Sequence, residues 1–125
     1  MYATKEESTL IDRYILYPMI LTILDRDLKT IQKAPFKFTQ PYEQWIEYKM
    51  REVSLTLHEI RKEMKSRNIK VALYRRVQDT SEYNVLVRGY DEVIKYSNLH
   101  LRNQAELYLQ HLFLDRLPSN MSKPS

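Results

Sequence analysis

Three histidines, His58, His100 and His111, are the residues best suited to metal binding or proton transfer. His100 and His111 stand eleven residues apart, which on a straight helix separates them by about 16 Å. One zinc ion, with Zn–N bonds of about 2.0 Å, does not bridge that gap. No Glu-x-x-His pair exists to build a di-iron centre. His58 follows Leu57 of an apolar stripe and reads as a boundary side chain. No metal ligand is assigned. The carboxylates give no acid–base pair either. Asp25 and Lys29 have the i, i+4 order of a surface ion pair, and Glu59 and Glu63 share a helix face with Lys62 among them. One glycine and no cysteine exclude phosphate-cradling loops, disulfides, thiolate metal sites and thiol nucleophiles. The expectation is a protein without cofactor or enzymatic activity. An enzyme would need a cleft that gathers His58, His100 or His111 with a carboxylate.

Charge is the uneven feature. From Arg61 to Arg76 there are seven basic residues against one acid, Glu63, whereas the formal charge of the whole chain is only +4. A nucleic-acid-binding module would use Lys65, Arg67, Lys70, Arg75 and Arg76 on phosphates, with Tyr74 and Tyr83 for stacking. Two bland causes compete with that reading. Basic residues favour a helix C-terminus through the dipole, and long basic stems cover apolar surface without any ligand. The expected order of elements is also not that of a winged helix.

Hydrophobic spacing sets out the elements that must hold these residues. Thr4 and Glu7 form a capping-box pattern. After it Leu10, Tyr14, Tyr17, Leu21, Leu24, Leu28 and Ile31 follow a 4-3 spacing that predicts a helix over about 5–33, with a kink or break near Tyr17 from Pro18. Lys33 to Gln40 is a connector. Pro41 suits a first helical turn, with Thr39 or Gln40 as the cap. Ile46, Met50, Val53, Leu57, Ile60 and Met64 give a second helix over about 41–67, and Asn68 suits a left-handed residue after it. The period then becomes two, so 69–88 reads as a β-hairpin around a polar loop at Gln78–Glu82. Gly89 marks a turn of positive φ and Asp91 an N-cap. Ile94, Asn98, Leu101, Ala105, Tyr108 and Leu112 predict a third helix over about 91–117. Asn98 in this stripe would fix register or touch water.

The expected fold is thus mainly α: an antiparallel three-helix bundle with a β-hairpin inserted between helices two and three. It forms one domain over 1–117, with a disordered tail at 118–125. The chain of 125 residues suits a single domain, and 43% hydrophobic residues suffice for a core. The most apolar window, Tyr14 to Leu24, is half the length of a spanning helix and lacks a signal-peptide cleavage site. A soluble, cytoplasmic protein with no membrane partner is expected.

Asp25-Arg26-Asp27, Ala34-Pro35-Phe36-Lys37, Gln40-Pro41-Tyr42, Gly89-Tyr90-Asp91-Glu92 and Leu101-Arg102-Asn103 give the chain its character. In these strings it resembles a family of short, uncharacterised cytosolic proteins of bacilli, over most of its length. The resemblance implies a bacterial cytoplasmic origin and assigns no role to any residue. Ten tyrosines complete the reading. Tyr14, Tyr17 and Tyr108 sit on the stripes, while Tyr2, Tyr42, Tyr48, Tyr90, Tyr96 and Trp45 suit a partner surface. The leading expectation is a non-enzymatic protein-interaction module that binds an unidentified protein or itself. Nucleic-acid binding through 61–76 comes second.

Overall fold

In the computed structural model, which describes residues 3–114, helix α1 spans Lys5–Lys33. Its capping box is formed: the Glu7 amide donates to Thr4 Oγ1 at 3.1 Å, and the Thr4 amide donates to Glu7 Oε1 at 2.8 Å. The helix passes Pro18 unbroken. Its inner face buries Ile11, Ile15, Tyr17, Ile20 and Leu24. Helix α2 spans Gln40–Ser66, with Thr39 as N-cap, a proline in the first turn and Arg67 as C-cap. Asn68 follows at φ 58°, in the left-handed region. Arg61 lies over the Tyr14 ring and Arg67 pairs with Glu6, so the end of α2 returns to the start of α1. Ile46, Val53, Leu57, Ile60 and Met64 close the helix pair.

The chain then enters a three-stranded antiparallel meander: β1 (Ile69–Val77), β2 (Thr80–Val87) and β3 (Tyr90–Ser97), in the order β1-β2-β3. Val85 of β2 faces Val71 on one side and Glu92 on the other, and Val87 faces Ile69 and Tyr90. Ile69, Val85 and Val87 are buried and join the helical core. The β1–β2 register shifts between Leu73 and Arg75, leaving Tyr74 unpaired. Beyond that bulge β1 is exposed.

This architecture corrects the expected bundle with an inserted hairpin. The sheet has a third strand, and helix α3 occupies Asn98–Leu114 instead of beginning at residue 91. Asp91, expected as an N-cap, lies within β3. The reason is local. Arg88 at φ 49° and Gly89 at φ 86° form a two-residue turn of the I′ kind, whose twist returns the chain antiparallel to β2. The expected polar loop at 78–82 is likewise only Gln78-Asp79, since β2 begins at Thr80. Ser97 Oγ accepts from the His100 amide at 3.2 Å and so caps α3. Asn98 ties the first turn to the β1–β2 loop: its amide donates to the Asp79 carbonyl at 2.8 Å, and its Oδ1 accepts from Ser81 Oγ at 2.7 Å.

Helix α3 lies on α1 and runs in the same sense. Asp12 meets Tyr96 just before α3 begins, and Tyr17 meets Tyr108 further along. Leu101, Ala105 and Leu112 are its buried residues. The last turn expected over 115–117 and the tail at 118–125 lie outside the described residues.

Candidate functional site

The basic segment does not form one patch. Lys65 and Lys70 line a shallow cleft between α2 and β1 together with Tyr14 and Arg61. Arg67 is engaged elsewhere. It donates to Glu63 at 2.6 Å and also pairs with Glu6, and these bonds raise its pKa further. Arg75 Nε donates to the buried Glu82 carboxylate at 2.9 Å, which raises the Arg75 pKa in the same way. Arg76 lines a separate depression beside Pro18 and Asn98. Along an extended strand six residues span roughly 20 Å, so Lys70 and Arg76 stand at opposite ends of β1. Of the five expected phosphate ligands the fold brings two together. Tyr74 is exposed and Tyr83 is half-buried, edge-on to Tyr96.

The histidines are dispersed as well, on α2 and on opposite ends of α3. One of them does share a cleft with a carboxylate. Between α1 and α3 a cavity of about 370 Å³ is lined by Asp12, Arg13, Tyr17, His100, Gln104 and Tyr108, among others. Asp12 is occupied there, since its Oδ1 accepts the Tyr96 hydroxyl at 2.6 Å. The His100 side chain makes no hydrogen bond or ion pair among the described residues. Burial, and then the bond to Asp12, pushes the Tyr96 pKa up. Burial is also the main cause at Tyr108, followed by its neighbour Tyr17, whose ring centroid lies 4.9 Å away.

The strongest surface feature is aromatic. The connector between α1 and α2 exposes Phe36 and Phe38, the latter 68% accessible. Phe36 stacks on Tyr42 with ring centroids 4.7 Å apart, and Lys37 lies over Phe38. On α2, Trp45 meets Phe113 of α3 edge-on at 4.4 Å. The Lys49 ammonium sits 5.9 Å from the Trp45 ring and 5.6 Å from the Tyr48 ring, with Glu52 Oε1 at 3.0 Å. That cation–π setting accounts for a lysine that is 4% exposed. Tyr48 and Leu55 stand seven residues apart, one above the other on the outward face of α2, and are 54% and 68% exposed.

The sequence singles out Trp45, Tyr42 and Tyr48 for such a surface but passes over Phe36, Phe38 and Leu55. Two signals point to them. Phe36-Lys37-Phe38 lies between two prolines, where a core partner is not expected, and Leu55 falls opposite the Val53–Leu57 stripe. Among the other tyrosines, Tyr17 is buried, Tyr14, Tyr96 and Tyr108 are half-buried, and Tyr90 is exposed. Tyr2 lies outside the described residues.

Comparison with known proteins places the chain in a sequence family. The family described as YhjD protein matches residues 2–117. The uncharacterised protein YhjD of Bacillus subtilis (strain 168) is 36% identical over 110 residues, covering 86% of this chain and 92% of that relative. No solved structure matches it significantly. Among the described residues no helix is long and apolar enough to cross a membrane.

Proposed function

The chain belongs to the YhjD protein family, and from that premise we propose that it is a non-enzymatic protein-interaction module of the bacterial cytoplasm. It engages a protein partner, or a second copy of itself, through α2 and the connector that precedes it. The observation that carries this reading is the outward pairing of Tyr48 with Leu55, continued by Trp45 and by Phe36 and Phe38. Single apolar residues on a surface need no explanation, but a run of large aromatics that includes Trp45 and Tyr48 has the composition of an interface hot spot. Binding of nucleic acid has less support, because Arg67 and Arg75 already serve carboxylates of this chain.

The test is a tagged pull-down from the native cell, with and without nuclease, alongside sedimentation of the pure protein. The wild type is expected to retain a nuclease-resistant protein partner or to self-associate. The variant carrying Phe38→Ser, Tyr48→Ser and Leu55→Ser is expected to lose either while keeping its circular dichroism. A wild type that stays monomeric and recovers no protein refutes the reading.

A further inference from the structure

We infer that the cleft between α1 and α3 is a binding site for a small aromatic carboxylate. Its volume of about 370 Å³ lies at the lower end of the range of about 300–1,000 Å³ for small-molecule sites. One wall is a ring surface, with Tyr17 and Tyr108 tilted at 42° and 4.9 Å apart. Leu107, 47% exposed, supplies apolar surface at the mouth. The polar groups are unequal in what they already hold. Asp12 is engaged by the Tyr96 hydroxyl. The side chains of Arg13, His100 and Gln104 form no hydrogen bond or ion pair among the described residues, and all three line the cavity. Arg13 is the only one of these with a permanent charge, and it is close enough to Tyr108 to oppose the upward shift of that phenol. A planar guanidinium without a carboxylate partner, beside aromatic rings, matches a ligand that is a flat ring bearing a carboxylate. The carboxylate takes a bidentate contact from Arg13 and the ring lies against Tyr108 and Leu107. Asp12 on the same wall disfavours multiply charged anions such as nucleotides more than it disfavours a single carboxylate.

The site is separate from the aromatic surface of α2, so its failure leaves the interaction reading intact, and the converse holds. The experiment is a titration of the full ¹⁵N-labelled chain with benzoate, benzamide and acetate in parallel, followed by amide chemical shifts. Benzoate is expected to give saturable shifts confined to residues 9–17 and 96–108, with benzamide and acetate at least about tenfold weaker. A charge-assisted hydrogen bond of about 1.5–3 kcal/mol predicts that Arg13→Gln weakens benzoate about tenfold or more. Leu107→Glu, which sets a carboxylate at the mouth, is expected to do the same. The proposal is overturned if benzoate shifts no amide of the cleft, if benzamide binds as well as benzoate, or if both variants bind benzoate within threefold of wild type.

Discussion

Glu7 and Arg88 are 81 positions apart in sequence, yet their side chains are joined, and Glu7 divides its two oxygens between distant parts of the fold. Oε1 closes the capping box on the Thr4 amide, while Oε2 receives the Arg88 guanidinium from the turn between β2 and β3. One carboxylate therefore fixes the start of α1 and holds the sheet against it. The third strand follows a turn that is anchored from outside as well as shaped by its own dihedral angles.

This double use makes stability depend on pH. The bond from Arg88, followed by the one from the Thr4 amide, holds the Glu7 carboxyl below its ordinary value of about 4.3. A depressed folded-state pKa gives stability that is full above the unfolded value and is lost as pH falls through the folded one. Urea midpoints measured between pH 7 and pH 3 are expected to fall below about pH 4.5 in the wild type. In Glu7→Gln the midpoint is expected to be lower at pH 7 and to show a shallower decline on acidification. Parallel curves for the two proteins would contradict this role.

Gly89 offers a test of the turn itself. A Cβ at this position would meet nothing within 4 Å, so any cost of replacement comes from φ 86° alone. Gly89→Ala is expected to cost about 1–2 kcal/mol in chemical denaturation, and Gly89→Asn clearly less, because asparagine tolerates the left-handed region. Equal losses would contradict a left-handed backbone as the source of the cost.

Core and surface leucine-type residues separate cleanly. Ile20 is fully buried in α1, and Ile20→Ala is expected to cost about 2–5 kcal/mol. Leu55→Ala on the outer face of α2 is expected to change stability by no more than about 0.5 kcal/mol, while weakening partner capture or self-association. Thermal and urea unfolding of the two variants checks the two stability costs, and pull-down checks the loss of capture.

The scattered basic residues predict how polyanions behave. Were all five of Lys65, Arg67, Lys70, Arg75 and Arg76 to contact phosphates, the logarithm of duplex-DNA affinity would fall against log salt with a slope near −4.5, using about −0.9 per phosphate. The cleft with Arg61, Lys65 and Lys70 allows a slope no steeper than about −3. Fluorescence anisotropy across a salt series distinguishes the two, and charge reversal at Arg75 is expected to leave the slope unchanged.

The first two helices are legible in the sequence because both ends of each carry chemistry as well as periodicity. Thr4 and Glu7 announce α1, and Pro41 and Asn68 bracket α2. The third strand is not, for a physical reason that sits in a few residues. Ile94, Asn98 and Leu101 satisfy a helical 4-3 spacing by coincidence, while Glu92, Ile94 and Tyr96 share the half-buried face of β3, with a charged member among them. Arg88 gives no sequence sign that it will adopt positive φ, and its anchor, Glu7, is at the far end of the chain. The α2 surface was half visible through its tyrosines and tryptophan. The cleft beside Arg13 was invisible, because only tertiary packing brings the first and third helices together.

The bulge at Tyr74 has a further consequence for how copies of the chain can meet. A free strand edge invites another strand to add to it, and the outer half of β1 exposes Leu73, Tyr74 and Val77. The register shift there breaks the even spacing of amide and carbonyl groups that an added strand needs, and Arg75 and Arg76 place like charges where two such edges would come together. The outer half of β1 is therefore a poor template for an added strand, even though it lies at an open edge of the sheet.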